Sequence, residues 1–400
     1  MKKYVIIGNS TAAIGCVEGI RSVDTEGSIT LIASEPHHTY SRPLISYLLY
    51  GKTTEELMKY RPDDFYEKNS VQTMLGVTVT GLDAEKKAVT TDTGETIPYD
   101  ELLVATGSRP FVPPFNGLDT ISKKFSFMTL DDARSLEASL TSEAKVLVVG
   151  AGLIGLKCVE GILDRVGSVT VTDLADRILP SILDLEASQR VQGFLEEKGV
   201  KFLLSNSVES FGPNTCKMKN GETVDYDIVV LAVGVRPNIA LVQDAGGKTE
   251  KGILIDSQCK TSLENVYAAG DCAQGFAILP NAYMEGHAAG VNMAGGQETF
   301  SNPFPMNAIG FFGLHIITAG FYQGECYQAI DEDNYKELFY EHNRLTGFIL
   351  MGDVANAGIY TSLIRNQTPL DTIDFELIKE KPQLMAFTKT DRARKLAQPH

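Results

Sequence analysis

Two stretches of the chain begin with an unbroken apolar run and continue with apolar residues at helical spacing. In the first, "KYVIIGNSTAAIGCVEGI" (3–20), the run ends at Gly8, after which apolar residues recur with the period of a helix as far as Ile20. A further apolar run, "SITLIASE" (28–35), ends in Glu35. The pattern predicts a strand, a tight turn, a helix and a second strand, which together make a βαβ unit.

The second stretch repeats this design. It consists of "AKVLVVGAGLIGLKCVEGI" (144–162) followed by "SVTVTD" (168–173). In such units the first glycine makes the turn, the helix start binds a pyrophosphate, and an acid after the next strand binds ribose hydroxyls. The second stretch has glycine at all three motif positions, Gly150, Gly152 and Gly155, and ends in Asp173. The first has Ser10 and Ala13 in place of the second and third of these glycines.

An internal repeat links the two stretches. The segments "GETIPYDELLVATGSRP" (94–110) and "GETVDYDIVVLAVGVRP" (221–237) share nine of seventeen positions and are offset by 127 residues. Each segment follows its own glycine turn. The repeat therefore indicates a duplicated nucleotide-binding domain, and the chain is expected to hold two dinucleotides.

Two further motifs, "ATGSRP" (105–110) and "NVYAAGDCA" (265–273), carry a family resemblance. With the glycine turns, they make the chain resemble the pyridine-nucleotide-dependent FAD oxidoreductases, the superfamily that includes the disulfide reductases. The resemblance implies that the first copy binds FAD, the second binds NAD(P)H, and Asp271 contacts the flavin ribityl chain. The residues expected to bind FAD are Gly8, Asn9, Ser10, Thr11, Ala12, Ala13, Glu35, Arg42, Pro43, Val79, Ala105, Thr106, Gly107 and Asp271. Those expected to bind NAD are Gly150, Gly152, Leu153, Ile154, Gly155, Asp173 and Gly234.

The same resemblance implies an α/β fold with two nested Rossmann-like dinucleotide-binding domains and a small α+β C-terminal domain. The expected FAD domain is 1–111 with 241–302, and the NAD domain, 112–240, is inserted into it. Residues 303–400 are the expected C-terminal domain, with short strands and one helix over 354–367. In the resembled family such a domain forms a dimer interface, which implies a homodimer.

Composition and charge narrow the classes of partner. The chain has 400 residues and a net charge of -15, which argues against nucleic-acid binding because that needs a basic surface. None of the six cysteines has C-x-x-C spacing, so no disulfide framework, zinc site or iron–sulfur site is expected. The apolar stretch 309–321 is too short to span a bilayer. We expect a cytoplasmic protein without metal and without membrane or nucleic-acid partners.

The acids after the second unit bear on the choice of nicotinamide nucleotide. Asp173 and Asp176 flank the expected ribose position. The extra phosphate of NADPH would meet like charge there, so NADH is favoured. Arg177 could instead bind that phosphate, although an ion pair or a cap is the commoner role for an arginine at such a position.

The segment "TYSRPLISYLLYG" (39–51) contains no cysteine. Disulfide reductases of the resembled family place their redox cysteines on the corresponding segment. "YSRPLIS" instead resembles reductases of rubredoxin-type or iron–sulfur carriers and the flavoprotein part of NADH-dependent nitrite reductases, in which electrons leave from the flavin edge. The resemblance implies that Arg42 lies by the FAD pyrophosphate or isoalloxazine. The alternative is a surface arginine before a helix-starting Pro43.

These features predict an NADH-dependent FAD oxidoreductase that reduces a small, acidic electron-carrier protein. Two alternatives stay open: a peroxide-forming NADH oxidase, and an FAD subunit that receives electrons for a larger complex. Arg392, Arg394 and Lys395 are candidates for a basic docking site for the carrier, with a solvated tail as the alternative.

Lys157 and Tyr47 are the candidates for a catalytic role. In the resembled family, a lysine after the Arg-Pro pair lies near flavin N5 and pairs with a glutamate from the first helix of the NAD domain. Alignment of the motifs places Tyr47 where that lysine would be and Lys157 where that glutamate would be. The hypothesis is that Lys157 supplies the positive charge with Tyr47 beside it. The alternative is a solvent-facing lysine.

Overall fold

The computed structural model describes residues 1–301 and 303–388. They form two compact units. The first contains Met1–Ile178 and Phe194–Pro303. The second contains Leu179–Gly193 and the described residues from Phe304 onward.

A five-stranded parallel sheet in the first unit contains the first apolar runs. Its strands are β1 (Lys3–Ile7), β2 (Ser28–Ala33), β3 (Val71–Leu75), β7 (Glu101–Val104) and β18 (Val266–Ala268), in the order β18-β7-β1-β2-β3. Ile6 lies opposite Leu31 on one side and Leu103 on the other, and all three are fully buried. Continuous apolar runs form such strands because both faces of the sheet are covered.

A second parallel sheet repeats this arrangement. Its strands are β9 (Lys124–Phe125), β10 (Lys145–Val149), β11 (Ser168–Thr172), β12 (Val200–Leu203) and β16 (Ile228–Leu231), in the order β12-β11-β10-β16-β9. β10 is central and has β11 and β16 on either side, as β1 has β2 and β7. The predicted duplication is therefore visible in the strand order.

The remaining strands of this unit form three smaller antiparallel sheets. Two have three strands each and the third is a two-stranded ribbon. They are β4 (Val79–Asp83), β5 (Ala88–Thr91) and β6 (Thr96–Pro98); β13 (Val208–Phe211), β14 (Thr215–Met218) and β15 (Thr223–Asp225); and the ribbon of β8 (Ser108–Pro110) with β17 (Val235–Pro237). In the ribbon, Arg109 lies opposite Arg236, the equivalent residue of the repeat. The two copies thus meet through matching segments.

The helices of the first unit include two that pack unusually closely. Its helices are α1 (Thr11–Arg21), α2 (Ile45–Leu49), α3 (Phe65–Lys68), α4 (Leu130–Glu137), α5 (Leu153–Ile162), α7 (Ala240–Asp244) and α8 (Leu279–Met293). A Cβ atom on Gly286 of α8 would lie 1.9 Å from the carbonyl oxygen of Ala12 in α1, and one on Gly15 would lie 2.4 Å from that of Tyr283. Glycines therefore let the backbones of α1 and α8 touch, which brings the start of α8 to the first glycine turn.

The second unit is built on a five-stranded antiparallel sheet. Its strands are β19 (Met306–Phe311), β20 (Leu314–Gly320), β21 (Glu325–Ile330), β22 (Tyr335–Glu341) and β23 (Arg344–Met351), in the order β19-β20-β23-β22-β21. Its helices are α9 (Ala357–Arg365), α10 (Phe375–Glu380) and most of α6 (Leu185–Glu197). Tyr360 and Leu363 of α9 pack with Phe348 and Ile378 in a buried apolar cluster.

The structure confirms the expected fold class: two Rossmann-like parallel sheets and an α+β C-terminal part. The expected domain boundaries stay a prediction. Within the described parts of the chain, 1–301 and 303–388, every helix is too short or too polar to cross a bilayer.

Candidate functional site

A cavity of about 530 Å³ lies at the carboxyl ends of the strands of the first parallel sheet, where α/β folds bind ligands. Twelve of the fourteen residues predicted to bind FAD line it. They are Gly8, Asn9, Ser10, Thr11, Ala12, Glu35, Arg42, Val79, Ala105, Thr106, Gly107 and Asp271. The other two do not: Ala13 is fully buried inside α1, and Pro43 lies in the 3-10 turn Arg42–Leu44.

The first glycine turn forms one wall. Gly8 has a φ of +122°, and a Cβ atom there would lie 2.2 Å from the carbonyl oxygen of Ala105, so only glycine fits. Ser10 precedes α1, and its side chain makes no capping hydrogen bond to the helix. The start of α1 lines the cavity, so its first N–H groups suit a pyrophosphate.

The acid at the end of β2 is held by the segment that lacks cysteine. The Glu35 carboxylate accepts a hydrogen bond from the Tyr40 hydroxyl at 2.5 Å and pairs with the Arg42 guanidinium. The Tyr40 hydroxyl accepts from the N–H of Leu130 at 2.9 Å, and Arg42 donates to the carbonyl oxygen of Met128 at 3.2 Å. Burial is the main cause that raises the pKa of Tyr40, so its hydroxyl keeps its proton. Arg42 therefore lies beside the expected ribose acid.

Asp271 forms another part of the cavity wall. Its carboxylate accepts a hydrogen bond from the Ser108 hydroxyl at 3.1 Å. The adjacent strand end is fixed because Thr106 and Asn238 each donate a side-chain hydrogen bond to the other's carbonyl oxygen, both at 2.8 Å. At Gly107 the position of a Cβ atom is open space. A ribose acid, an uncapped helix start and this further carboxylate fit FAD.

The second glycine turn has the same main-chain geometry. Gly150 has a φ of +116°, and its Cβ atom would lie 2.3 Å from the carbonyl oxygen of Ala232. A Cβ atom on Gly155 would lie 2.0 Å from the carbonyl oxygen of Gly150, whereas Gly152 and Gly234 have open space there. Leu153 and Ile154 begin α5 and are half-buried. The seven residues predicted to bind NAD thus surround one turn or follow the adjacent strands.

Asp173 lies at the end of β11 and is held by main-chain groups. Its carboxylate accepts hydrogen bonds from the N–H groups of Ala151 at 2.7 Å and Ala175 at 2.8 Å. Arg177, the alternative phosphate ligand, donates to the Asp176 carboxylate at 3.0 Å. Arg177 is therefore engaged in an ion pair, which favours that role over binding the extra phosphate of NADPH.

Lys157 and Tyr47 lie together, as the alignment of the motifs requires. The Lys157 ammonium lies 4.3 Å from the centre of the Tyr47 ring and forms an ion pair with Glu160. The Lys157 side chain is 18% exposed and that of Glu160 is 2% exposed, so the lysine does not simply face solvent. Neither Lys157 nor Tyr47 lines the 530 Å³ cavity, and their catalytic role stays a prediction. Arg392, Arg394 and Lys395 lie outside the described residues.

The cysteines are poor candidates for redox chemistry. Cys16, Cys158 and Cys272 are fully buried, and burial raises the pKa of each thiol. Cys326 is exposed, but burial of its sulfur and the nearby Glu337 raise its pKa to about 11. None of the residues that line the cavity is a cysteine. In the described parts of the chain, no group of three or more His, Cys, Asp or Glu side chains could hold a metal ion.

Sequence reasoning missed several residues of the cavity and its surroundings. Tyr40 and Ser108 lie within quoted motifs, and Asn238 follows the second Arg-Pro of the repeat, so each could have been selected by position. Met128 and Thr129 also line the cavity. The signal for these two was the capping box at Thr129, where the side chain accepts from Asp132 N–H at the start of α4.

The chain matches two protein families. Residues 2–286 match the pyridine nucleotide-disulphide oxidoreductase family, and residues 305–368 match the rubredoxin NAD+ reductase C-terminal domain. It is 31% identical to the epsilon subunit of NADH-dependent phenylglyoxylate dehydrogenase from Aromatoleum evansii, over 92% of each chain. It is also 31% identical to the nitrite reductase [NAD(P)H] of Bacillus subtilis (strain 168), over 92% of this chain and 48% of that protein. The chain thus spans about half the length of that nitrite reductase.

Among solved structures, the fold is similar to that in the covalent putidaredoxin reductase–putidaredoxin complex. The TM-score is 0.88 at 22% identity, with 99% of each chain covered. FAD and NADH are the cofactors of the enzyme. The chain belongs to the pyridine nucleotide-disulphide oxidoreductase family and is an FAD-dependent NADH oxidoreductase.

Proposed function

We propose that this enzyme oxidises NADH and passes the electrons through FAD to a small, acidic protein electron carrier of the rubredoxin or ferredoxin type. The observation that carries the proposal is the cavity lining, which has the polar groups expected for FAD and no cysteine. When bound, FAD accepts a hydride and gives up electrons one at a time, which suits a one-electron carrier. The match of residues 305–368 to a domain named for rubredoxin NAD+ reductase supports a carrier of this class.

The chain's own residues bind and orient the two nucleotides in this proposal. The start of α1 binds the FAD pyrophosphate, Glu35 binds the adenosine ribose, and Asp271 binds the ribityl chain. The start of α5 and Asp173 bind the corresponding parts of NADH. The Asp173 carboxylate would repel the extra phosphate of NADPH, so NADH is the preferred donor.

A second candidate is an FAD subunit that receives electrons for a larger enzyme. The relatives favour it: one is named as a subunit of an NADH-dependent dehydrogenase, and the other is a nitrite reductase about twice as long as the chain. In that case the electron acceptor would be a partner domain rather than a freely diffusing carrier. The reaction of the flavin with NADH would be the same.

A stopped-flow experiment with two half-reactions separates these functions. Mixing the protein anaerobically with NADH should bleach the flavin in every case. Rapid reoxidation by rubredoxin or a small ferredoxin supports the carrier proposal. Rapid reoxidation by oxygen alone, with hydrogen peroxide as product, indicates the oxidase instead. If rubredoxin, small ferredoxins and oxygen all reoxidise the flavin slowly, the protein is an FAD subunit of a larger enzyme. A protein that NADH does not bleach would contradict the proposal altogether.

We also infer that the enzyme is a cytoplasmic homodimer that associates through its C-terminal domain. The basis is the resemblance to a family in which that domain forms the dimer interface. Light scattering on the purified protein measures the oligomeric state, and a monomer at all concentrations would refute the dimer. Cell fractionation tests the location.

A further inference from the structure

A buried glutamate lies directly behind the turn that carries Asp271. Glu285 is on α8, one turn after Ala282, and is 5% exposed. Leu279 and Ala282 line the cavity, whereas Glu285 is not part of the lining. Its position between the cavity wall and the helix core gives it no direct contact with a bound nucleotide, so its influence must pass through neighbouring groups.

The neighbour that it holds is the main chain of Gly270. The Glu285 Oε2 atom accepts a hydrogen bond from the Gly270 N–H at 2.8 Å. Gly270 has a φ of +76°, and its Cβ atom would lie 3.2 Å from the Cβ of Ala12. A left-handed turn between α1 and α8 leaves little freedom, and the carboxyl group satisfies its partly buried N–H. The position of this turn sets the position of Asp271, the next residue.

The protonation state of Glu285 changes the charge in this region. Burial raises the pKa of Glu285 to about 7; the Gly270 hydrogen bond opposes that rise and the negative charge of Asp271 adds to it. Cys259 is a buried thiol near this carboxylate: burial, and then the negative charge of Glu285, raise the pKa of the thiol. A neutral Glu285 still accepts from Gly270 through a carbonyl oxygen. An ionised Glu285 places a buried negative charge next to the carboxylate of Asp271, which is unfavourable.

We propose that Glu285 is a positioning residue of the FAD site: in its protonated form it fixes the Gly270–Asp271 turn, and in its ionised form it weakens the retention of FAD. This rests on the proposed contact between Asp271 and FAD. Because burial raises the pKa of Glu285, its ionised carboxylate favours an opened turn that admits water, so the closed turn is most stable when Glu285 is protonated and loses this contribution as the pH rises through about 7. FAD should therefore be held more tightly on the acidic side of neutrality.

The test measures spontaneous FAD release from the purified holoprotein by flavin fluorescence after dilution. For the unmodified protein we expect release to be about tenfold faster at about pH 8.5 than at about pH 5.5, the effect of one pKa unit. The substitution Glu285→Gln keeps an acceptor for Gly270 and cannot ionise, so release should stay slow at both pH values. Glu285→Ala leaves the Gly270 N–H unpaired, so release should be fast at both.

Glu101→Gln is the matched control. Glu101 is 8% exposed, begins β7 in the same unit and does not line the cavity, so this variant should release FAD like the unmodified protein. A pH step that survives unchanged in Glu285→Gln does not come from Glu285.

Identical pH profiles for the unmodified protein and Glu285→Gln would overturn the proposal. So would slow release from a folded Glu285→Ala variant at both pH values. Failure of the proposed function would look different: the purified, unmodified protein would carry no flavin absorbance at all, whatever the behaviour of the variants.

Discussion

The two glycine turns have almost the same main-chain geometry. A Cβ atom on Gly8 would lie 2.2 Å from the carbonyl oxygen of Ala105, and one on Gly150 would lie 2.3 Å from that of Ala232. The two alanines are separated by 127 residues, which is the offset of the sequence repeat. After the duplication, the contact that fixes the turn was kept in both copies because each copy must bring a helix start to a phosphate.

The acids that follow the two turns are held in different ways. Side chains hold Glu35: Tyr40 donates to it and Arg42 pairs with it, and both also bond the main chain at or just before α4. Asp173 is held by the N–H group of Ala151, in the second glycine turn, and by that of Ala175, in the loop after β11. The first acid is therefore held by side chains that also bond the main chain near α4. The second is held by main-chain groups, one of them 22 residues away in the second glycine turn.

This difference corresponds to the different tasks of the two nucleotides. FAD stays bound through many reactions, and a site fixed by contacts between distant segments opens only if those contacts break. NADH must enter and leave in each turnover, and an acid held by main-chain groups allows that without moving side chains that tie other segments together. Substitutions at matched positions of the two copies test whether the two sites differ in this way.

The largest effect is expected from the first glycine of each turn. Gly8→Ala should give a protein that purifies with almost no FAD, because the added Cβ atom would lie 2.2 Å from the Ala105 carbonyl oxygen. Gly150→Ala should retain FAD, but NADH should reduce it at least about 100-fold more slowly, since the added Cβ atom distorts the turn expected to bind the NADH pyrophosphate. The ratio of flavin to protein absorbance and stopped-flow reduction measure the two outcomes.

Gly94→Ala is the control for backbone strain. Gly94 has a φ of +82° but nothing within 4 Å of the position of a Cβ atom, so the variant should keep both activities. If Gly150→Ala lost FAD and Gly8→Ala retained it, the assignment of the two copies would be reversed.

A smaller effect is expected at the second acid. Asp173→Asn removes the charge but keeps an oxygen that can accept from the Ala151 N–H. The preference for NADH over NADPH, as the ratio of the two kcat/KM values, should fall about thirtyfold, since repulsion between like charges at a binding site costs several kcal/mol at most. The retained FAD absorbance serves as the control. An unchanged ratio would show that Asp173 does not set the preference.

The strands and turns could be predicted because local sequence determines them. Unbroken apolar runs gave β1 and β10, and the glycines gave both turns, since only glycine fits a position where the main chain of another strand lies so close. Asp271 could be placed because its motif is continuous. In each case the residues that allow the prediction lie within a few positions of the strand, turn or side chain that they predict.

The contacts between distant segments could not be predicted in this way. Glu285 looks like an ordinary helical glutamate in the sequence, and its burial depends on how α8 packs on α1. The same holds for Tyr40, whose partners come from the end of β2 and from α4. Glu160 was missed beside Lys157, although its position three residues later on the same helix was a usable signal.

An effect of about tenfold is expected at Lys157. The substitution Lys157→Met keeps the side-chain stem over Tyr47 and removes the charge. If the ammonium assists the reaction between nicotinamide and flavin, reduction of the flavin by NADH should slow about tenfold, the result of losing ~1.4 kcal/mol of transition-state stabilisation. Stopped-flow reduction with FAD still bound is the measurement, and an unchanged rate would exclude the role.

The control addresses Glu160, a buried carboxylate whose ion pair with Lys157 is removed by Lys157→Met. The double variant Lys157→Met with Glu160→Gln removes both charges. If the double variant reduces flavin as fast as the unmodified protein, the slow step in the single variant came from the buried carboxylate. If it stays slow, the ammonium itself is required.

The smallest effect is expected from the cysteines. Cys16 and Cys158 occupy equivalent positions in α1 and α5, both are fully buried, and burial raises the pKa of both thiols. Such thiols fill space and rarely become thiolates, which are the reactive form.

Replacing all six cysteines by alanine should therefore lower the melting temperature by a few degrees, as small packing losses do. NADH-to-dye electron transfer per bound FAD should stay within about twofold of the unmodified rate. Single replacements at Cys16 and Cys158 should cost similar amounts of stability, because the two copies use the position alike. A flavin-loaded, folded variant that lost most of its turnover would show that electrons do pass through sulfur, and the direct exit from the flavin would then be wrong.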